Sequence, residues 1–421
     1  DDALYPVDDL SPYVVRDNSK CIQCMRCVAA CKNIQSVAVI GPINRGYNVH
    51  VGCAFEKSLD EVPCVGCGQC IVSCPVGALS EKSNIDEVWE AISDPGKKVV
   101  FFTAPSIRAT LGECFNMAPG TDVEGKMVAA IRRLGVDKAF NMNVAADLTI
   151  MEEANEFVER FKNKGTLPMI TSCSPGWVKY IEMNYPELLP HLSTCKSPHE
   201  MFGSILKSYY AEKNGIDPKK IFVVSVMPCI AKKFERQREE LKNDELDNVD
   251  CVITTRELAR MIKQAGIEFT DLEDSQFDSP MGEASGAGAI FGTTGGVMEA
   301  ALRTAYEWIT GEELKKLNFE EVRGKEGIKK ATIKIGDLDV KVAVAHGLGN
   351  AQEIMEEMKS GKADYQFVEI MACPGGCIMG GGQPIKSAKI RMTVDVRKKR
   401  ADALYTIDEK SVIRKSHENP V

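Results

Sequence analysis

The sequence predicts an α/β protein with a mostly parallel sheet, preceded by a small cysteine-rich module. Three observations carry that prediction. Sixteen cysteines fall in 421 residues, and half of them crowd into two tight runs before residue 80. From about residue 97 to about 395, apolar strand-like runs alternate with amphipathic helix-like runs, the order that builds parallel sheets. Hydrophobic residues make up 44% of the chain, enough to bury a core and to fill two or three domains at this length.

The elements follow in chain order. Strands are predicted at Lys98–Thr103 (KVVFFT), Pro168–Thr171, Ile221–Met227 (IFVVSVM), Val249–Thr254, Val340–Ala345 and Phe367–Met371, several of them just before a cysteine. Helices are predicted at Ile150–Asn163, Thr255–Gln264 and Val297–Ile309, where apolar residues recur at three- and four-residue spacing. Residues 396–421 are charged and weakly patterned, and read as a surface tail or the start of an element cut short. The expected domains are therefore 1–82, 83–395 and a C-terminal segment, 396–421.

The net charge is −8, with acids and bases interleaved, so there is no electrostatic footprint for nucleic acid. No run approaches ~20 consecutive apolar residues, and the N-terminal DDALYPVDDL lacks the charged-then-apolar pattern of a signal peptide. A cytoplasmic protein without membrane insertion is expected. Disulfide-dense proteins are mostly short and secreted, whereas these cysteines stand in C-x2-C runs or singly at strand ends, as metal ligands do.

The first run is Cys21, Cys24, Cys27 and Cys31, and the second is Cys64, Cys67, Cys70 and Cys74 followed by Pro75. This is the bacterial ferredoxin spacing, in which the fourth cysteine of each run serves the other cluster. Cys21, Cys24, Cys27 and Cys74 are expected to hold one 4Fe-4S cluster, with Cys64, Cys67, Cys70 and Cys31 holding a second. Zinc ribbons also use paired C-x2-C motifs, but two overlapping triplets over-supply zinc. Two adjacent clusters suit one-electron transfer and imply a redox partner.

Three more motifs follow strand candidates: Thr171–Trp177 (TSCSPGW), Met227–Glu235 (MPCIAKKFE) and Met371–Pro384 (MACPGGCIMGGGQP). Ligands of open α/β sheets bind beyond the carboxyl ends of the strands, so Cys173, Cys229, Cys373 and Cys377 are expected to meet in one crevice. The glycines of Gly375–Gly382 let backbone approach a bulky inorganic ligand; a phosphate loop there would lack its Lys-Ser/Thr ending.

These motifs resemble the three signatures of the FeFe hydrogenases, TSCCPxW, MPCxxKxxE and the two-cysteine third motif. Ala146–Ala154, Lys196–Gly203 and Gly288–Arg303 are similar to the family too, so the resemblance covers nearly the whole chain. It implies a catalytic domain of two lobes, with mostly parallel sheets flanking a buried cluster, and a small α+β ferredoxin-like domain. It implies reversible reduction of protons to dihydrogen at an H-cluster, a 4Fe-4S cubane joined to a diiron subcluster carrying CO, CN and azadithiolate. By resemblance Cys377 bridges the two parts, Cys229 and Cys373 are cubane ligands, and Lys232 hydrogen-bonds a cyanide. Ala104, Pro105 and Ser106 surround the other cyanide, and Met227 and Met371 pack against the diiron unit.

The resemblance also implies a proton relay of Arg160, Glu156, Ser193, Glu153 and Cys173, although Glu153, Glu156 and Arg160 taken alone read as one solvated helix face. The family signature has two adjacent cysteines, the second a cubane ligand, whereas this chain has Cys173 then Ser174. Serine is a poor ligand where iron favours a soft thiolate. Three readings stay open: Ser174 ligates weakly, Cys173 ligates after a small backbone shift, which is the least costly, or the cubane is impaired. Cys195 is another nearby thiol, and His199 stands where glutamine is expected. Cys53, Cys114 and Cys251 read as ordinary thiols. Expected partners are ferredoxin, a nicotinamide-reducing subunit or a formate-dehydrogenase subunit, and maturation proteins for the diiron unit. The alternatives are a hydrogen-sensing or catalytically altered relative, or an iron-sulfur assembly protein of the same superfamily.

Overall fold

A computed structural model describes residues 6–243 and 245–420. The first lobe is built on a four-stranded, all-parallel sheet in the order Lys138–Asn141, Lys98–Thr103, Ile221–Met227, Cys251–Thr254. Its central strands are buried on both faces, which is why KVVFFT and IFVVSVM are almost continuously apolar. In the second lobe Phe367–Met371 lies parallel to both Leu338–His346 and Met169–Ile170. A hairpin adds Ile328–Ile335 antiparallel at the edge, so this sheet is mixed.

All six predicted strands are present, three of them with changed ends, while Lys138–Asn141 and the half-exposed edge strand Ile328–Ile335 complete the sheets without a sequence signal strong enough to single them out. The long helix Asn143–Lys162 begins well before the predicted Ile150 and packs against Gly296–Thr310 and Pro198–Ile205. Its buried first turns run through small residues, Ala145 and Ala146, so the apolar periodicity emerges only later.

The N-terminal module pairs Val14–Arg16 with Leu79–Glu81 and Gly41–Ile43 with His50–Gly52, around short helices at Arg26–Ala29 and Gln69–Ser73. It docks tightly on the catalytic lobes. A Cβ on Gly68, whose φ is +68°, would fall 2.9 Å from the Gly381 Cα, so bare backbone meets bare backbone at this joint.

The C-terminal segment corrects the expectation of a surface tail. Residues Val396–Lys410 form a helix, N-capped by Asp395, that packs on Gly286–Ile290 and on the turn Cys377–Met379. It buries Val396, Arg400, Leu404 and Asp408. Two of these four are charged and are satisfied by ion pairs, Arg400 with Glu113 at 2.7 Å and Asp408 with Arg303 at 2.8 Å. Charge buried as pairs carries no apolar periodicity, and that hid the helix from a hydropathy pattern.

Candidate active site

The three motif loops leave the carboxyl ends of one strand in the first lobe's sheet and two in the second lobe's, and converge. Pro228 and Cys229 follow Ile221–Met227, Cys173 and Ser174 follow Met169–Ile170, and Cys373 to Cys377 follow Phe367–Met371. Between the lobes they form a cavity of about 70 Å³, lined by Cys173, Ser174, Cys229, Cys373 and Cys377, and walled by Met227, Met371, Phe291 and Val297. Ala104 and Pro105, just past Lys98–Thr103, also line it. Ser106 stands one step back, buried, its hydroxyl accepting from Gln383 Nε2 at 3.2 Å.

Lys232 is the cation of this cavity. Its Nζ donates to the Cys173 carbonyl at 3.2 Å, to Ser197 Oγ at 2.9 Å and to Glu235 Oε2 at 2.6 Å. Burial works against its charge, but the Glu235 carboxylate outweighs burial and holds the ammonium above its ordinary pKa. Glu235, in turn, is held below the usual carboxylate range: burial opposes this, and Lys232 and then His199 outweigh it.

The thiols fit a metal cluster and little else. None is in a disulfide. Burial, then the neighbouring Cys229, pushes Cys377 up to about 12 as a free thiol, so a thiolate at this depth needs a metal cation to stabilise it. Gly376, at φ +88°, lets the Cys373–Cys377 loop turn against the backbone of Thr294, where a Cβ would clash at 2.7 Å. An apolar chamber with four thiols and one ammonium has the donor set of an iron-sulfur group with anionic ligands.

Cys173 sits apart from the other thiols in its surroundings. Burial first, and then the Glu153 carboxylate, pushes its thiol well above its usual range, with Lys232 opposing and Cys377 adding to the shift. Ser174 Oγ accepts the Ala372 backbone N–H at 3.2 Å, directly before Cys373.

Polar side chains extend outward from Cys173, not all of them hydrogen-bonded in sequence. Glu153 is buried with neither carboxyl oxygen in a hydrogen bond, and burial pushes its carboxyl up to about 8, tempered by the nearby Ser193 hydroxyl. Ser193 Oγ donates to Glu156 Oε2 at 2.9 Å, and Arg160 Nη2 donates to Glu156 Oε1 at 2.6 Å, both residues reaching solvent. The helix Asn143–Lys162 thus carries Glu153, Glu156 and Arg160 on one face. That face is turned inward along Ser193 rather than solvated throughout. Cys195 lies beside this chain, its Sγ 3.7 Å from Glu156 Oε2, and is not among the residues lining the cavity.

Cys21, Cys24, Cys27 and Cys74 line one small cavity, with Cys24 exposed. Cys31, Cys64, Cys67 and Cys70 form the other group: after burial, the nearness of the first three pushes Cys70 well above its usual range. This second group abuts the catalytic chamber, with Cys373 Sγ 3.9 Å from the Cys67 carbonyl. The sequence reading missed the contacts of Glu200, Glu235 and Ser197 around Lys232; the i,i+3 spacing of Lys232 and Glu235 on the helix Lys232–Glu235 was the available signal. Cys53 and Cys251 are buried, with Arg16 Nη1 3.8 Å from Cys53 Sγ, and Cys114 is half-buried.

Two thiol groups running from the surface to a buried thiol-lined chamber define an iron-sulfur redox protein. Residues 97–381 match the profile described as "Iron only hydrogenase large subunit, C-terminal domain", residues 11–80 that of "NADH-quinone oxidoreductase subunit 3, ferredoxin-like domain", and residues 394–421 that of "Iron hydrogenase small subunit". The chain is 50% identical over 418 residues to the NADP-reducing hydrogenase subunit HndD of Solidesulfovibrio fructosivorans, covering 98% of this chain and 71% of that protein. It is also 50% identical to iron hydrogenase 1 of Clostridium pasteurianum over 414 residues, 98% of this chain and 72% of that one. Among solved structures, an apo FeFe-hydrogenase HydA1 variant from Chlamydomonas reinhardtii superposes with a TM-score of 0.71 at 42% identity, covering 80% of this chain and 92% of that one.

The chain belongs to the iron-only, or FeFe, hydrogenase family. It is an oxidoreductase acting on hydrogen. Among the described residues, no helix is long and apolar enough to cross a membrane.

Proposed function

We propose that this chain catalyses the reversible reduction of protons to dihydrogen at an H-cluster held in the chamber between the lobes. The carrying observation is the convergence of Cys229, Cys373, Cys377 and Lys232 on one apolar cavity; the buried Glu153 near Cys173, and the bonded set Ser193, Glu156 and Arg160 beyond it, support a proton route to solvent. Cys229, Cys373 and Cys377 hold the group, with Ser174 at the fourth ligand position and Lys232 facing its anionic ligands. When bound, the group supplies the metal centre at which protons, electrons and dihydrogen interconvert. Ala104, Pro105, Met227 and Met371 exclude water around it, and Ser106 supports that wall through Gln383.

The protein's part in the reaction is proton supply. Glu153 keeps its proton at neutral pH because burial raises it to about 8, close to the operating range of a proton donor. When the Cys173 thiol gives up its proton toward the chamber, Glu153 replaces it, and Glu153 is refilled in turn through Ser193 and Glu156, which Arg160 holds at the surface. The neighbours of Cys173, namely Glu153, Lys232 and Cys377, support a relay role for this thiol over a ligand role and leave Ser174 as the altered ligand.

Electrons arrive through two 4Fe-4S clusters, one on Cys21, Cys24, Cys27 and Cys74, the other on Cys31, Cys64, Cys67 and Cys70, in residues 1–82. Residues 83–395 form the catalytic domain and 396–421 its C-terminal brace. A partner at the exposed Cys24 end is a ferredoxin, a nicotinamide-reducing subunit or a formate-dehydrogenase subunit; a relative named as a subunit of an NADP-reducing hydrogenase supports the second. Maturation proteins insert the diiron unit, and the cytoplasm is the compartment proposed. Ser174 favours one further reading, a catalytically altered or hydrogen-sensing relative.

The deciding experiment is an infrared spectrum of anaerobically matured protein in the region where metal-bound CO and CN absorb. Bands that shift under dihydrogen, with turnover, establish the hydrogenase reading. Bands without turnover establish the altered relative, and absent bands with intact ferredoxin-type clusters overturn both.

A further inference from the structure

The carboxylate that anchors Lys232 is itself held by a residue outside both the thiol set and the proton chain. Glu235 Oε2 accepts three donors at once: Lys232 Nζ at 2.6 Å, Ser197 Oγ at 3.0 Å and His199 Nδ1 at 2.9 Å. The same His199 nitrogen lies 3.0 Å from Glu200 Oε1, and Nε2 lies 2.9 Å from Ser225 Oγ. His199 and Glu200 are each 1% exposed, and His199 also lines the chamber.

Every element packed on the imidazole contributes to its surroundings. Glu200 comes from its own helix, Pro198–Ile205, and Lys232 and Glu235 from the helix facing it. Ser225 comes from the strand below, and the Phe102 ring stands 5.8 Å away at its side. Asn248 Nδ2 satisfies the other Glu200 oxygen at 3.0 Å. Two carboxylates therefore share this dry site with one permanent cation, Lys232. A neutral imidazole would leave one negative charge uncompensated away from water, which is costly. An imidazolium between the two carboxylates closes the balance: Nδ1 donates to Glu235, while Glu200 Oε1 has no hydrogen-bond partner and faces the ring's charge 3.0 Å away.

We propose that His199 is a positioning residue for the hydrogen reaction: as an imidazolium wedged between Glu200 and Glu235, it draws the Glu235 carboxylate toward itself. Lys232 is thereby left as an incompletely neutralised cation on the chamber wall. The inference rests on the reading that the chamber holds the H-cluster. A cation at that wall favours the more reduced, more negative state of whatever occupies the chamber, so His199 acts on reduction potential rather than on the proton chain.

Infrared spectroelectrochemistry on the matured holoenzyme tests this with three variants. His199→Gln removes the positive charge and is expected to move the chamber cluster to lower potential and to shift its cyanide bands, with the potentials of the two ferredoxin-type clusters unchanged. Glu200→Gln removes a negative charge and is expected to move it the opposite way. Ser225→Ala deletes the Nε2 partner but no charge, and is expected to leave the potential in place. The proposal is overturned when His199→Gln assembles the group with unchanged potential, or when His199→Gln and Ser225→Ala shift it alike. Should His199→Gln lose the bands altogether, Glu200→Gln decides by itself, a rise supporting the proposal and no shift overturning it. Missing CO and CN bands in the unsubstituted protein sink the reading of the chamber's occupant instead, and are told apart by that control.

Discussion

Ser174 and Glu153 show how much chemistry hangs on single positions. Ser174 stands beside three converging thiols with its hydroxyl turned to the Ala372 N–H, a harder and weaker donor for iron than a thiolate. Ser174→Cys is expected to slow the loss of iron to a chelator, read from the decay of the cluster's visible absorbance; a variant that loses iron as fast as the parent rejects a ligand role at this position. Glu153 is expected to donate as the neutral acid. Its carboxyl is raised to about 8, so the acid form is present below that pH and is lost above it, and dihydrogen evolution is expected to fall on the alkaline side. Glu153→Gln keeps the shape and removes the exchangeable acid. It should cost about two to four orders of magnitude in turnover while the CO and CN bands persist.

At the scale of elements, the C-terminal helix is a brace for the cluster-bearing loop. Arg400 reaches from Val396–Lys410 to donate to the carbonyls of Ile378 and Pro384 at 2.7 and 3.0 Å, on either side of the glycine run, while pairing with Glu113. Lys386 also reaches Glu113, at 3.3 Å, so that carboxylate keeps one partner when the arginine is removed. Arg400→Met is therefore expected to destabilise the protein by about 3 kcal/mol, toward the low end for breaking a buried ion pair. Urea unfolding of the anaerobic protein measures it. An effect within about 0.5 kcal/mol, the level of an ordinary surface substitution, would reject the brace.

Across the whole molecule, the two module thiol groups and the chamber lie in series, from exposed Cys24 through the Cys67 carbonyl to Cys373. Cys24→Ala is expected to abolish the outer cluster and with it electron exchange with a protein partner. The infrared bands of the chamber should stay unchanged, and turnover with a small reducing dye should largely survive. Equal loss with dye and protein donors would mean that the module is needed for folding rather than for wiring.

Spacing along the chain determined which thiols group together: C-x2-C runs carry their geometry locally, and the strand-then-cysteine order placed three loops at the ends of parallel strands. The apolar strands of the sheets were legible for the same reason, because burial on both faces leaves a continuous hydrophobic run. What the sequence did not disclose depends on partners far apart in it. The brace was illegible because Arg400 and Asp408 are buried by pairing with Glu113 and Arg303, residues from other elements. The inward turn of the Glu153 face depended on Ser193 arriving from another loop. The charge balance around Lys232 required His199, Glu200 and Glu235 to be brought to one point. Local pattern decides which atoms are ligands; only tertiary structure decides which charges share the same dry space, because that energy depends on distance and on exclusion of water.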